Sequence, residues 1–502
     1  MRRPGGDAQI PGAGTGEERH DMARRIGIIG AGPGGICTGV KLLEAGYRDF
    51  TIFEQAPRVG GTWWHNAYPG CACDVPSHLY SFSFAMKRDW PHPYGTQSEI
   101  QAYMEEVVAS HGLQPHLRLN TEVTGARWDA AASAWRVTTA AGETLTFDLL
   151  VGAVGMFNRP AWPDIPGLER FAGTKFHSAR WDRGHDLTGE AVAVIGSAAS
   201  AVQFVPEIAK IVGRLDLYQR TPNWVRPREE AYTAEQLARF TGDPQAAEAE
   251  RQTIWNWVNS VQTLSDPEIL RQSAEVCRQN LSVVADPETR RKLTPDYPFG
   301  AKRPLISNAW YPTFNRPNVQ LITEPIAEIT EHAVVTRDGT ARPVDTIVLA
   351  TGFDTSRYLS AIPVTGRGGR ALDDAWTDGA EAYLGITVAG FPNLFMLYGP
   401  NTNNGSIIFQ IECQVAYLLR HLQRMDRQGL AWIDVRPEIM ASYNRDLQRD
   451  LARVAVWNTG TRDYYRSPSG RIITQWPHGM DRYRDMTSAP DDDAYESARR
   501  AA

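Results

Sequence analysis

The sequence predicts a doubly wound α/β protein with two dinucleotide-binding (Rossmann-like) units and a helical insertion. Three observations predict it. The run Ile26-Gly27-Ile28-Ile29 leads through Gly30-Ala31-Gly32-Pro33-Gly34-Gly35 into a helix-like stretch. The pattern returns at Ala191-Val192-Ala193-Val194-Ile195, followed by Gly196-Ser197-Ala198-Ala199-Ser200-Ala201 and a second helix. Near the end, Leu394-Phe395-Met396-Leu397 reads as a strand of the first unit, with a helix from about Ser406.

The first unit is a βαβ with GxGxxG at its strand–helix turn and an acid about twenty residues on. Gly46 stops its helix, and Phe50-Thr51-Ile52-Phe53 is a strand ending at Glu54. Gly30, Gly32 and Gly35 let the backbone close on a pyrophosphate, to which the helix N-terminus offers unpaired N–H groups. Glu54 is expected to accept from ribose hydroxyls. In the second unit Ala198 and Ala201 replace the second and third glycines, a modest weakening. Its next strand, Leu215-Asp216-Leu217-Tyr218, ends in Gln219-Arg220-Thr221. Arg220 stands where an NAD-preferring site carries an acid, and a guanidinium suits a 2′-phosphate, so NADPH is expected.

From Glu229 to Thr294 the chain is charged and helical in pattern, with no dinucleotide signature. A loop at Asp296–Pro304 follows, then strand-like runs at Val319–Ile322, Ala333–Thr336 and Thr346–Leu349, the last leading into Ala350-Thr351-Gly352. The organisation expected is a disordered tail at 1–23, an FAD-binding domain at 24–160 and 345–502, an NADP-binding domain at 161–225 and 303–344, and a helical insertion at 226–302.

Composition bounds the function. The 502 residues, 42% hydrophobic and 22% charged, are those of an ordinary folded protein of about three domains. A net charge of -6 without a basic tract argues against nucleic acid as partner. No apolar run approaches the roughly 18 residues of a membrane span. Five cysteines, Cys37, Cys71, Cys73, Cys277 and Cys413, show no disulfide framework or zinc spacing, and the histidines form no metal set. The N-terminal stretch has no apolar core of a secretory signal. A cytoplasmic enzyme is expected, as a monomer or weak homodimer.

Two dinucleotide units imply two nucleotides that meet, most economically a resident flavin and a nicotinamide that reduces it. Disulfide reductases, flavin reductases or oxidases, and flavoprotein monooxygenases share that plan. A disulfide reductase needs a CxxC or CxxxxC beside the flavin. Val59-Gly60-Gly61-Thr62-Trp63-Trp64 offers none, and Cys71 and Cys73 are too close for an easy loop.

Phe171-Ala172-Gly173-Thr174-Lys175-Phe176-His177-Ser178-Ala179-Arg180-Trp181-Asp182 resembles the fingerprint of the type I Baeyer–Villiger monooxygenases. The likeness covers nearly the whole chain after residue 24. It includes Gly60-Gly61-Thr62-Trp63, Tyr68-Pro69-Gly70 leading to Cys73-Asp74, Tyr297-Pro298-Phe299-Gly300 leading to Lys302-Arg303, and Ala350-Thr351-Gly352. Departures are Ala198 and the short N-terminal tail, which lacks a further domain that some relatives carry.

The resemblance implies that NADPH reduces FAD, that O2 then yields a C4a-peroxyflavin, and that a ketone becomes an ester or lactone. A guanidinium suits the two successive anions of that reaction, since it never deprotonates and offers forked donors. Arg303 matches the family's active-site Arg, and Asp74 the acid that supplies its counter-charge. His177, in the segment joining the nucleotide domains, is implied as a relay between cofactor binding and domain closure. The implied cofactor set is Gly61, Thr62, Trp63, Asp74, Ala350, Thr351 and Gly352 beside the first fingerprint. For NADPH it is Gly196, Ser197, Ala198, Ser200, Ala201, Gln203, Arg220, Thr221 and Lys302. The rival activities are N- or S-oxygenation, and an uncoupled NADPH oxidase. The identity of the ketone is not legible.

Overall fold

Ten strands carry the architecture of the computed structural model, which describes residues 24–461 and 463–500. They are β1 (Ile26–Ile29), β2 (Phe50–Phe53), β3 (Leu117–Arg118), β4 (Leu149–Gly152), β5 (Thr174–His177), β6 (Ala191–Ile195), β7 (Arg214–Tyr218), β8 (Val319–Ile322), β9 (Thr346–Leu349) and β10 (Leu394–Met396). The tail expected at 1–23 lies outside the described residues. The strands form two five-stranded sheets, in the orders β10-β4-β1-β2-β3 and β8-β7-β6-β9-β5. All neighbours in both run parallel. Parallel sheets are covered on both faces, which is why β1 and β6 are almost continuously apolar and buried.

Helices α1 (Pro33–Glu44) and α2 (Ala199–Ile208) follow β1 and β6. An antiparallel meander, Val123–Asp129, Ala134–Thr139 and Thr144–Phe147, interrupts the first unit. A second meander, Ile326–Ile329, Ala333–Thr336 and Ala341–Pro343, stands at the same topological place in the second.

The expected domain boundary at 345 falls one strand early. β9 pairs with both β5 and β6, so the chain leaves the second sheet only after Leu349. A buried parallel strand reads the same in either sheet, and Thr346-Ile347-Val348-Leu349 carries no mark of its partner. The two crossings between units then run side by side, with the Ala161 N–H donating to Gly352 O at 2.9 Å.

The insertion consists of α3 (Ala234–Gly242), α4 (Pro244–Val261), α5 (Pro267–Leu281) and α6 (Pro287–Leu293). Thr233, Asp243, Asp266 and Asp286 cap their N-termini, three of them followed by Pro at a position that needs no N–H. Arg251 of α4 ties the insertion to the first unit, donating to Ser81 O at 2.7 Å and His78 O at 3.3 Å. The helix predicted from Ser406 is α7 (Ile407–Gln428), capped by the Ser406 hydroxyl and stopped by Gly429 at φ +63°.

Candidate active site between two nucleotide cradles

β1 and β6 end in the same turn. Gly30 and Gly196 have φ of +105° and +106°, a region that strongly favours glycine. Their N–H groups donate to Phe53 O at 2.7 Å and Tyr218 O at 3.1 Å. A Cβ would lie 2.6 Å from Ala153 O in the first turn and 2.3 Å from Ala350 O in the second. Gly32 and Ala198 stand as N-caps of α1 and α2 in the same extended conformation, and no side chain caps either helix. Their first-turn N–H groups are therefore free of side-chain acceptors, which is the arrangement a pyrophosphate needs. Both cradles fit a dinucleotide. Ala198 adopts an ordinary φ of -88° and is exposed, so the methyl strains nothing in its turn. Ser197 is buried with its hydroxyl donating to Thr221 O at 3.4 Å, Ser200 is partly exposed, and Ala201 is buried against the sheet.

Glu54 closes the first cradle from the end of β2. One carboxylate oxygen accepts from the Ala31 N–H and the other from Ala56, both at 2.9 Å. Burial pushes its carboxyl above the usual range. Glu54 thus braces the glycine loop, and the lone pairs left over suit a ribose hydroxyl. Opposite, a Cβ on Gly61 (φ +56°) would come within 2.9 Å of Gly32 Cα. That contact seats Thr62 and Trp63, in the short helix Thr62–His65, beside the first cradle. The Trp63 indole N–H donates to the Tyr80 hydroxyl at 3.0 Å.

Asp74 and Arg303 meet where the units face each other. Arg303 Nε donates to Asp74 Oδ2 at 2.8 Å and Nη2 to Oδ1 at 2.5 Å, a forked pair. Both side chains are partly exposed, 35% and 26%. The Asp74 charge holds the guanidinium pKa well above its ordinary value. The loop that delivers Arg303 is pinned by the Tyr297 hydroxyl donating to Pro222 O at 2.7 Å and the Trp224 indole donating to Tyr297 O at 3.0 Å. Three of the five guanidinium donors take no protein acceptor among the described residues.

His177 ends β5 and is buried. Its Nδ1 accepts from the Ala179 N–H at 3.1 Å, which puts the proton of the neutral ring on Nε2. Burial, first, lowers its pKa to about 4, and Nε2 has no hydrogen-bond partner among the described residues. The ring lies 6.0 Å from Phe353 and 6.2 Å from Trp162, centroid to centroid. Beside it, Thr351 donates to Ala161 O at 2.6 Å, and Gly352 turns at φ +81°. The Ala350 N–H donates to Ile195 O at 2.8 Å. Arg220 is exposed beyond β7, with Thr221 beside it. Burial, then the charge of Arg220, lowers the Lys302 ammonium pKa.

Gln203, expected among the cofactor ligands, makes its side-chain hydrogen bonds within the protein. Its carboxamide is turned to the first unit and accepts from the Tyr68 hydroxyl at 3.0 Å and the Ala72 N–H at 3.3 Å. It also donates to Ala72 O at 2.9 Å. Only tertiary packing decides which way such a helical side chain turns. Tyr398 and Tyr464, near the Arg303 guanidinium, had no local signal either. His421, Asp491 and Asp492 gather within ligand distance of a cation. Arg420 and Arg424 already neutralise those carboxylates, so the trio is part of an ion-pair network.

Residues 27–238 match the pyridine nucleotide-disulphide oxidoreductase family. A Baeyer–Villiger monooxygenase of Streptomyces coelicolor is 41% identical over 494 residues, covering 97% of this chain and 94% of that protein. The NADP+-bound crystal structure of cyclohexanone monooxygenase from Rhodococcus sp. Phi1 superposes with a TM-score of 0.86 at 31% identity, covering 95% of this chain and 99% of that one. The structure of OTEMO in complex with FAD and NADP gives a TM-score of 0.85 at 28% identity, with the same coverage.

Proposed function

The chain belongs to the Baeyer–Villiger monooxygenase family, and on that premise we propose how its residues divide the work. It is an FAD- and NADPH-dependent monooxygenase that inserts one oxygen atom from O2 next to a ketone carbonyl, giving an ester or lactone. Bound FAD, reduced by NADPH, supplies the oxygen activation.

In this reading the cradle of Gly30, Gly32 and Gly35, with Glu54, Gly61, Thr62 and Trp63, holds FAD. The cradle of Gly196 to Ala201 holds NADPH, and Arg220, Thr221 and Lys302 select its 2′-phosphate. The FAD unit comprises the first sheet and the NADP unit the second, with β9 included. Arg303 stabilises negative charge on the oxygen of the substrate carbonyl through donors that Asp74 leaves free. Asp74 aims the guanidinium and offsets its charge. His177 stays neutral and links the nicotinamide side to the Gly352 crossing; it moves no proton.

The observation that carries this reading is the forked Arg303–Asp74 pair between the two units. A cytoplasmic setting belongs to the same reading and is supported by five cysteines that are all free. A monomer or weak homodimer is its expected assembly. Among the described residues no helix is long and apolar enough to cross a membrane. A panel of cyclic, linear and aryl ketones with NADPH and O2, read by product mass, tests the reading. Esters or lactones heavier than the ketone by one oxygen support it. A preparation that oxygenates only sulfides or amines overturns it.

A further inference from the structure

The strip Cys71-Ala72-Cys73-Asp74 is held along both edges. On one edge it pairs within its own unit: the Cys73 N–H donates to Gly95 O and the Gln97 N–H to Cys71 O, each at 2.8 Å. On the other edge it meets the second unit at two points. Arg303 grips Asp74, and Gln203 grips both peptide groups of Ala72, donating at 2.9 Å and accepting at 3.3 Å. The two grips are two residues apart along the strip. The Gln203 carbonyl oxygen also accepts from the Tyr68 hydroxyl.

Gln203 lies one turn into α2, the helix whose free N-terminus forms the second cradle. Its neighbour Phe204 is buried between Tyr68 (ring centroids 5.9 Å) and Trp181 (5.2 Å), the last aromatic of the fingerprint segment. The chain is packed closely here: a Cβ on Gly70 would lie 2.7 Å from Gln203 O. The Gln203 hydrogen bonds thus link α2 to Ala72, which stands two peptide links from Asp74.

We propose that Gln203 is a positioning residue for oxygen insertion, setting the aim of Arg303 through Ala72 and Asp74 according to where α2 lies. This rests on the reading of Arg303 and Asp74 given above. A side chain that touches no reacting atom acts by holding one that does, and loss of such a support leaves a site present but loose. Because Gly95 and Gln97 hold the strip from its own unit, losing Gln203 leaves the strip folded and frees only its placement against Arg303.

Gln203→Leu keeps the volume and removes all three hydrogen bonds; Tyr68→Phe removes one and leaves α2 untouched. The holoenzymes are compared for NADPH KM, flavin bleaching without oxygen, and hydrogen peroxide released per ester formed. Gln203→Leu is expected to keep NADPH KM within about twofold and to bleach normally. It should release about tenfold more peroxide per ester, with Tyr68→Phe between it and the parent. In an Asp74→Asn background, Gln203→Leu should add nothing further. If Gln203→Leu does not fold, Tyr68→Phe and its Asp74→Asn double variant give the same two readings. A large rise in NADPH KM with normal coupling would overturn the proposal and make Gln203 a cofactor ligand. Additive uncoupling in the Asp74→Asn background would overturn it too. Absence of ester from the parent enzyme would fault the underlying reading instead.

Discussion

Arg303 and Asp74, 229 residues apart in sequence, form a two-bond fork across the facing edges of two nucleotide-binding units. The pair is neither sealed in the core nor open to bulk water, with 35% of the Arg303 side chain exposed. A charge kept there by its partner remains usable by a substrate oxygen. An isolated surface pair would be screened and a sealed one inaccessible.

Arg303→Ala should retain FAD and still be bleached by NADPH, because hydride transfer needs only cofactor geometry. Ester formation should fall by about two to three powers of ten, with hydrogen peroxide released instead. Lys at 303 should recover little, since an ammonium cannot fork between two oxygens. Asp74→Ala should resemble Arg303→Ala more weakly. Peroxide and ester measured in the same assay give the ratio.

Arg220 and Lys302 lie close enough for one charge to depress the other's pKa, with burial the larger cause for Lys302. A 2′-phosphate held between them, as proposed, would relieve that repulsion. Arg220→Ala should raise the NADPH KM about tenfold, the loss of one charge-assisted contact, and leave the NADH KM nearly unchanged. Initial rates with both nucleotides check it; equal damage to both removes Arg220 from the phosphate site.

Gly35→Ala should abolish flavin retention, because the new Cβ would fall 1.9 Å from Gly30 O in the turn of the first cradle. Gly46→Ala is its control. That residue also has positive φ, at +89°, but meets nothing within 4 Å. It should cost about 1 kcal/mol of stability and keep the flavin. Flavin absorbance after gel filtration separates the two.

His177 should make the fold acid-sensitive. Its pKa is about 4 in the folded chain against 6.5 for the free side chain. The unfolded chain therefore binds more protons between those values, and stability falls as pH drops through that window. The contribution is at most about 3 kcal/mol. His177→Gln, which does not titrate, should flatten the pH dependence of the unfolding midpoint between pH 6.5 and 4. Thermal unfolding across that range reads it.

Much of this was legible in the sequence where local rules are strict. The strands Ile26–Ile29 and Ala191–Ile195 run into glycine turns and Phe50–Phe53 ends at Glu54, and the structure keeps those bounds. Ser406 caps its helix as a hydroxyl at an N-terminus should. The sheet that β9 joins was not legible, because burial on both faces erases strand alternation. Arg303 stood out only through family resemblance; as a lone Arg in a loop it has many commoner roles. The direction of the Gln203 amide was not legible, because a helical position fixes where a side chain starts, and packing fixes where its amide ends.

Oxygen insertion beside a carbonyl is the central claim, and isotope labelling reads it directly. The enzyme, NADPH and a ketone that it turns over are mixed under 18O2, and the product is fragmented in the mass spectrometer. One 18O atom in the ester bridge, with the carbonyl oxygen unlabelled and about one NADPH consumed per ester, is the predicted result. Unlabelled product, or NADPH consumption that yields only hydrogen peroxide, would contradict it.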